Sequence, residues 1–220
     1  EKPKLTDSPL TGVTLADFSE GSAETFFESD GWTNESVFNT RWNKSNVTYT
    51  DGAMHLGMTE NPDGSVETFD EYYGGEARSH QYFGYGDFKV KMKPAKAKGT
   101  ASTFFTCTGP YDENEDGEPN PHDEIDIEFL GTDTTHVQFN YFVDGVGGHE
   151  YMHDLGFDAS AEYHEYGYRW TKDYIVWFVD DEPVYKVTAS EDNPLPSTPG
   201  RILMNHWVGT PEAEGWMGEY

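Results

Sequence analysis

The chain has 220 residues, with 41 Asp and Glu against 14 Lys and Arg, and a formal net charge of −27 at pH 7. Because binding to phosphates requires a basic face, this acidic excess excludes a nucleic acid as the expected partner. Aromatic residues make up 15% of the chain and occur throughout it, which indicates a folded protein rather than a disordered one.

Length and cysteine content limit the possible architectures. A chain of this size buries a core without disulfides, and the single cysteine, Cys107, allows no internal disulfide. The longest uncharged apolar run, at 174–179, is far shorter than the roughly 20 residues that cross a bilayer, so we expect no membrane partner. The chain starts at Glu1 without a methionine or an apolar leader, as an exported mature chain would, and we expect a secreted monomer.

The pattern along the chain is that of an all-β protein. Residues 1–18 form a lead-in segment, and residues 19–220 form one domain in which apolar residues recur with a period of two between turn residues. Many short antiparallel strands joined by turns indicate a sandwich or a jelly roll. The pattern predicts strands at 46–51, 53–59, 88–93, 101–108, 123–130, 136–143, 163–171, 174–179, 184–188 and 201–208.

One predicted strand carries three acids on a single face. Strict alternation at 123–130 places Glu124, Asp126 and Glu128 on one side and apolar residues on the other. Acidic residues are poor strand formers, and like charges aligned along one face repel each other. A solvated acidic surface is one interpretation of this pattern, and a catalytic site is the other.

Paired carboxylates are the catalytic groups of retaining glycosidases. One is a nucleophile and the other an acid and then a base, with the carboxyl groups about 5–5.5 Å apart. Residues four apart on a strand have Cα atoms roughly 13 Å apart, so the side chains of Glu124 and Glu128 must bend toward each other over the shorter Asp126. The charge of Asp126 favours a protonated neighbour, which separates the roles of acid and nucleophile.

A sugar site also needs flat apolar platforms and hydrogen-bonding groups for hydroxyls. Each aromatic residue alone is more often part of a core than a platform, but their occurrence beside three aligned carboxylates favours a polysaccharide site. The aromatic candidates are Trp32, Phe38, Trp42, Phe105, Phe142, Trp207 and Trp216, and the polar candidates are Asn34, Glu76, Arg78, Gln138, Asn140 and Asn205.

The segment from Glu124 to Glu128 resembles the signature of glycoside hydrolase family 16. Further stretches at 85–96, 102–106, 123–131, 137–141 and 198–200 resemble bacterial lichenases, the endo-β-1,3-1,4-glucanases, and the resemblance extends over about 18–220. The signature has no extra residue between Asp126 and Glu128. In this it is similar to lichenases and xyloglucan-active enzymes and differs from laminarinases and agarases.

The resemblance implies a concanavalin-like β-jelly roll, a sandwich of two antiparallel sheets with a concave substrate cleft. It implies that Glu124 is the nucleophile, Glu128 the general acid/base, and Asp126 the residue that tunes them. It also places glucose contacts at Asn34, Phe38, Glu76, Arg78, Asn140, Glu150, Asn205, Trp207 and Trp216, to which we add Phe105 from the aromatic candidates.

The sequence departs from the lichenase pattern at several positions. His122 stands where lichenases usually have Trp, and Cys107 and Phe142 stand where they usually have Tyr, so two sugar-facing hydroxyls are absent. Thr40 occupies the position of one cysteine of the lichenase disulfide. The chain also ends at Tyr220, before the family's last strand, which supplies a carboxylate to the family's structural calcium site.

Two further motifs indicate metal binding when taken alone. The segment from His149 to His153 fits H-E-x-x-H, the zinc protease signature, but that motif needs a helix and glycines flank this one. The segment from Asp112 to Asp123 is close to a calcium-binding loop, with Asp112, Asn114 and Asp116 as candidate ligands. An acidic solvated loop is the alternative interpretation of this second motif.

Taken together with the family resemblance, these features predict a retaining endo-β-glucanase that hydrolyses mixed-linkage β-1,3-1,4-glucan and needs no cofactor for the chemistry. A structural calcium ion at the acidic loop is a candidate cofactor. Activity on β-1,3-glucan or xyloglucan is the nearest alternative. A non-catalytic carbohydrate-binding jelly roll is the alternative from another class, although such a protein has no need of three aligned carboxylates.

Overall fold

The computed structural model describes residues 4–19, 21 and 23–220. Nearly all of its regular structure is β, with one helical turn near the end, α1 (Glu214–Met217). The strands are β1 (Phe26–Glu28), β2 (Thr40–Trp42), β3 (Val47–Thr50), β4 (Ala53–Leu56), β5 (Met58–Glu60), β6 (Tyr72–Gly74), β7 (Glu76–Phe83), β8 (Gly86–Met92), β9 (Thr100–Thr108), β10 (Asp123–Leu130), β11 (His136–Phe142), β12 (Tyr151–Asp154), β13 (His164–Trp170), β14 (Tyr174–Val179), β15 (Glu182–Thr188) and β16 (Gly200–Val208).

Two antiparallel sheets form the body of the fold. The larger sheet has seven strands in the order β1-β7-β16-β9-β10-β11-β12, and the second has four in the order β15-β14-β13-β8. The three-acid strand, β10, lies inside the larger sheet, between β9 and β11. Two smaller sheets, β2-β6-β5 and β3-β4, complete the fold, and β2 pairs with β6 in parallel. The predicted sandwich is therefore confirmed.

The main core lies between the two large sheets. Ile125, Ile127 and Phe129 project from β10 into it, and Tyr168 and Trp177 project from the opposing sheet. Burial of these large side chains, at about 1.5–3 kcal/mol each, holds the sheets together. Because side chains alternate along a strand, the acids of β10 are left on the face that points away from this core.

Several short strands and one long strand are absent from the sequence predictions. The long one, β7, consists mainly of polar residues, yet its first half is buried within the larger sheet. Its polar side chains pair with groups across the sheet, so it does not show the apolar alternation that indicates a strand. The predicted strand at 53–59 is split at Gly57, whose N–H donates to the Asn46 carbonyl.

The lead-in segment packs on the four-stranded sheet. Arg169 on β13 donates hydrogen bonds to the Ser8 and Pro9 carbonyls and pairs with Asp87 at 2.9 Å. Leu10 is buried beside them, in a small apolar cluster on the outer side of this sheet. Among the described residues, no helix is long and apolar enough to cross a membrane.

Candidate active site

Three strands supply the groups around the aligned carboxylates. Glu124, Asp126 and Glu128 on β10 lie opposite Cys107, Phe105 and Thr103 on β9, respectively. On the other side they lie opposite Phe142, Asn140 and Gln138 on β11. Because facing residues of paired strands share one side of a sheet, all nine side chains belong to the same surface.

Core residues and loops fix the position of β10. The Trp177 indole N–H crosses the core from β14 and donates to the Asp126 carbonyl at 3.1 Å. At the start of the strand, the buried Asp123 carboxylate accepts hydrogen bonds from the backbone N–H groups of Asp144, Ser197 and Thr198. These contacts restrain the strand from behind and from one end, so its three acids stand on a rigid support.

Glu124 is held by three neighbours. Its Oε2 atom accepts a hydrogen bond from His122 Nε2 at 2.6 Å and lies 3.4 Å from the Cys107 thiol sulfur. Burial by itself raises the pKa of Glu124, but hydrogen bonds from His122 and Asp126, the His122 charge and the Cys107 thiol together lower it. Glu124 is therefore ionised at neutral pH, as a nucleophile must be.

Asp126 lies between the two glutamates on the same face of β10. Burial raises its pKa well above the usual range, and the charges of Glu124 and Glu128 raise it further. A hydrogen bond between the two carboxyl groups raises the pKa of Asp126 and lowers that of Glu124. These shifts favour Asp126 as the donor to Glu124, whereas the sequence pattern suggests an acceptor, and the role of Asp126 stays a prediction.

Glu128 has a different environment. Gln138 Nε2 donates to its Oε2 atom at 2.7 Å, and the Gln138 carbonyl in turn accepts from the Trp216 indole N–H at 3.0 Å. Burial raises the pKa of Glu128 to about 7, the Gln138 hydrogen bond opposes that rise, and the charges of Glu124 and Glu150 add to it. A carboxyl group with this pKa carries a proton that it can give up near neutrality, as a general acid must.

A buried polar network lies on the side of Glu128 that faces β9, β16 and β7. Glu76 on β7 is fully buried, and its two oxygens accept hydrogen bonds from Ser29, Arg78 and Asn205 at 2.6–2.9 Å. Thr103, which faces Glu128, donates to the Asn205 amide oxygen. Arg78 also lies 5.4 Å from the centre of the exposed Trp32 ring. The predicted contacts Glu76, Arg78 and Asn205 are thus brought together beside the acids.

The next part of this surface is an aromatic wall formed by Phe38, Trp207 and Trp216. The Phe38 ring stacks on Trp207 with centroids 3.9 Å apart, and Trp216 lies 6.0 Å from Trp207. Trp207 is only 3% exposed, so it supports Phe38 and offers little surface of its own. Trp42 is fully buried, and its indole N–H donates to the exposed Asn34. The expectation that Trp42 is a platform is therefore wrong, because it fills the core beneath this wall.

The other predicted contacts lie around the acids. Asn140 and Phe105 flank Asp126 on its two neighbouring strands, Asn140 buried and Phe105 partly exposed. Glu150 is exposed, and its charge raises the pKa values of Asp126 and Glu128, which places it near the same surface. These positions leave Glu150 and Phe105 accessible to a ligand.

Two important residues are absent from the predicted set of site residues. His122 contacts Glu124 and Gln138 contacts Glu128, although the sequence shows His122 only as a departure from the family pattern and Gln138 only as a polar candidate. The period-two alternation that identifies the acids could also have identified these two residues. His122 continues the alternation of Glu124 by two residues, and Gln138 alternates with Asn140 along β11.

The structure contradicts the zinc-protease motif and leaves the calcium-loop motif untested. In H-E-x-x-H, His153 lies in strand β12 rather than on a helix, and His149 stacks on Tyr141 at 3.9 Å, so the histidines do not share a helical face. In the acidic loop, Asp112 accepts hydrogen bonds from Tyr82 and Thr108.

The rest of the acidic loop is also internally bonded. Asn114 Oδ1 accepts from the backbone N–H groups of Asp116 and Glu118, each at 2.9 Å. A calcium ion would have to displace these protein donors, and calcium binding by Asp112, Asn114 and Asp116 stays a prediction.

Known proteins provide a comparison for this arrangement. The chain is 47% identical over all 220 residues to a beta-glucanase of Acetivibrio thermocellus, and it spans 60% of that protein's length. It is 45% identical over 217 residues to a beta-glucanase of Bacillus subtilis. This match covers 98% of this chain and 83% of the relative.

A solved structure with a similar fold belongs to the same kind of enzyme. A crystal structure of a prokaryotic beta-1,3-1,4-glucanase (lichenase) derived from a mouse hindgut metagenome superposes with a TM-score of 0.84 at 43% identity, over 93% of this chain and 89% of that one. The predicted β-jelly roll is thereby confirmed. The sequence model described as Glycosyl hydrolases family 16 matches residues 34–219, and the chain belongs to this family.

Proposed function

We propose that this protein is an extracellular, monomeric, retaining endo-β-glucanase that cleaves mixed-linkage β-1,3-1,4-glucan. The observation that carries the proposal is a pair of glutamates on one face of one strand, whose neighbours move their pKa values in opposite directions. Glu124 is ionised beside His122, whereas burial raises the pKa of Glu128 to about 7. A retaining hydrolase needs one carboxylate and one carboxylic acid on the same surface.

The two steps follow from these protonation states. In the first, a Glu124 oxygen attacks the anomeric carbon while Glu128 gives its proton to the departing glycosidic oxygen, so the aglycone leaves as an alcohol. In the second, ionised Glu128 takes a proton from water, and the water oxygen displaces Glu124 from the sugar. Asp126 donates its hydrogen bond to Glu124 whenever Glu124 carries charge, which stabilises the nucleophile before attack and after release.

The named relatives support the substrate class. The solved structure from the mouse hindgut metagenome is that of a beta-1,3-1,4-glucanase, and the relatives from Acetivibrio thermocellus and Bacillus subtilis are named beta-glucanases. A neutral polysaccharide also suits a surface this acidic, because no anionic partner has to approach it. The polymer is too large to cross a membrane, which supports an extracellular location.

Product sizing on four polymers tests the proposal. We expect oligosaccharides from barley β-glucan and lichenan, and little release from laminarin or xyloglucan. The Glu124→Ala and Glu128→Ala variants should lose nearly all hydrolysis, with azide restoring turnover of an activated aryl glycoside in one or both. Binding of β-glucan without any release of reducing ends would identify a carbohydrate-binding jelly roll instead.

A structural calcium ion at the acidic loop is a separate proposal and takes no part in the chemistry. Its support is the loop sequence, with Asp112, Asn114 and Asp116 at the spacing of a calcium loop. Calorimetric titration of the wild type and Asp116→Ala with CaCl₂ tests it. Equal heats of binding for the two proteins would rule the loop out as the calcium site.

A further inference from the structure

Three potential metal ligands of different chemistry meet at the nucleophile. Cys107 Sγ, a His122 ring nitrogen and a Glu124 carboxylate oxygen all lie within 4.8 Å of one another. Within residues 4–19, 21 and 23–220, this is the only group of three or more Cys, His, Asp or Glu side chains that is close enough to hold one ion. Of this group, only Glu124 takes part in the bond changes of the proposed hydrolysis, and His122 and Cys107 lower its pKa.

The ligand types select a class of metal. Thiolate, imidazole and carboxylate together are typical ligands of Zn²⁺ and related borderline cations, whereas Ca²⁺ and Mg²⁺ take oxygen ligands. Three protein ligands with a free fourth position are also the pattern of open zinc sites. The cluster therefore discriminates between cations by chemistry and not by charge alone.

The distances are compatible with a tetrahedral ion. Metal–ligand bonds of about 2.0–2.3 Å at tetrahedral angles place ligand atoms about 3.4–3.6 Å apart. The Cys107 sulfur and the Glu124 oxygen are already 3.4 Å apart. The His122 nitrogen and the same oxygen are 2.6 Å apart, so this pair must separate by about 0.8 Å when a metal replaces the proton between them.

The ion can reach the cluster from the surface that carries the acids. All three residues are partly exposed, with 34% of the His122 side chain and 18% of the Glu124 side chain accessible. The neighbouring acids and the net charge of −27 attract cations to this surface. Both Cys107 and His122 occupy positions where this chain departs from the lichenase pattern, so the cluster is a property of this sequence.

We propose that Cys107, His122 and Glu124 form a binding site for a borderline divalent cation of the Zn²⁺ class, and that an ion bound there reversibly inhibits the enzyme. Binding releases the thiol proton to solvent, because cysteine binds metal as the thiolate. The bound Glu124 oxygen is then unavailable for attack. Metal binding does not depend on the proposed hydrolysis, whereas the inhibition rests on the role of Glu124 in that proposed function.

Direct binding is tested with Co²⁺ and Zn²⁺ on the folded, metal-free protein. Co²⁺ should produce the near-ultraviolet charge-transfer band of a cobalt–thiolate bond at a stoichiometry of one, and Zn²⁺ should abolish it. Cys107→Ser should lose the band, and His122→Gln should weaken Zn²⁺ binding by at least about 10²-fold in calorimetry. The control His55→Gln removes an exposed histidine elsewhere and should bind as the wild type does.

Inhibition is measured as the ratio of rates with and without Zn²⁺, so each variant serves as its own reference. We expect Zn²⁺ to inhibit the wild type and a chelator to restore its rate, whereas Ca²⁺ and Mg²⁺ should have no such effect. Cys107→Ser should become at least about 10²-fold less sensitive. Circular dichroism of each variant verifies that it is folded.

The possible failures are distinguishable. A wild type without the cobalt–thiolate band, or a Cys107→Ser variant that binds Zn²⁺ as tightly as the wild type, overturns the metal site and leaves the proposed hydrolysis intact. Binding at Cys107 without inhibition overturns the inhibitory role and contradicts Glu124 as the nucleophile. Absence of hydrolysis together with metal binding overturns the proposed function and leaves the site in place.

Discussion

The two ends of the three-acid strand β10 carry the same side chain, but their neighbours shift its pKa in opposite directions. Glu124 receives hydrogen bonds from His122 and Asp126 and lies beside the Cys107 thiol, and its pKa falls below the usual value. Glu128 accepts a hydrogen bond from Gln138. Burial raises the pKa of Glu128 to about 7, and the charges of Glu124 and Glu150 add to the rise. The difference shows that the neighbours, and not the residue type or the strand, assign the nucleophile and the acid.

Replacing each glutamate by its amide should have the largest effect. Glu124→Gln removes the nucleophile and should lower kcat on β-glucan by about 10⁴-fold or more. Glu128→Gln removes the proton donor and should lower kcat by about 10²–10⁴-fold on the polymer. The Glu128→Gln loss should be much smaller on an aryl glycoside, whose leaving group needs no proton.

Glu165→Gln is the matched control for these amide variants, because this glutamate lies on β13 in the opposite sheet, paired with Lys89. It should keep the wild-type rate on both substrates. If Glu124→Gln kept a tenth of the wild-type kcat, or if the aryl substrate rescued Glu124→Gln rather than Glu128→Gln, the assignment of the two ends would be wrong.

Replacing Asp126, which lies between the two glutamates, should have a smaller effect on kcat. Asp126→Ala removes the hydrogen bond to Glu124, and kcat should fall by about 10²-fold, as when one aligned donor is lost from a charged site. Asp126→Asn keeps an N–H donor in the same place and should lose much less. Steady-state kinetics on lichenan measures both variants. Equal losses would show that the charge of Asp126, rather than its proton, is what matters.

The pH profile tests the two ends separately. The acid must be protonated, so activity should fall as pH rises through about 7, the pKa of Glu128. Gln138→Met removes a donor that favours ionised Glu128, so the pKa rises and this alkaline limb should move to higher pH. His122→Phe removes a donor that favours ionised Glu124, so the acid limb should also move to higher pH.

Each of these two variants should move only one limb of the kcat/KM profile, by about one pH unit or less. The variants are controls for each other, since each perturbs one end of β10 and leaves the other unchanged. A shift of the alkaline limb in His122→Phe, with the acid limb unmoved, would contradict the assignment of Glu124 and Glu128.

The smallest expected effect is at the aromatic wall, away from both ends. Phe38 is supported by Trp207 at 3.9 Å, and an aromatic contact of this kind contributes about 0.5–1.5 kcal/mol beyond burial. Phe38→Ala should raise KM on β-glucan by about 10-fold with kcat nearly unchanged. Phe38→Tyr keeps the ring and should remain near the wild type. A fall in kcat alone would assign Phe38 to positioning of the reacting bond instead.

The local sequence pattern alone predicts many of the strands of this molecule. The alternation at 123–130 predicts strand β10 and the shared face of its acids, and both are present. By contrast, β7 carries Glu76 and Arg78 but has no apolar alternation, because its polar side chains are satisfied by partners on other strands. Periodicity identifies a strand only when one of its faces is apolar.

The sequence by itself therefore determined the all-β class, the shared face of the three acids and the family. Only the tertiary structure decided which glutamate is ionised, because that depends on His122, Cys107 and Gln138 converging from the ends of β10 and from two other strands. It also decided that Trp42 and Trp207 are buried supports. Charge state and exposure are set by contacts between distant segments, and no local pattern contains them.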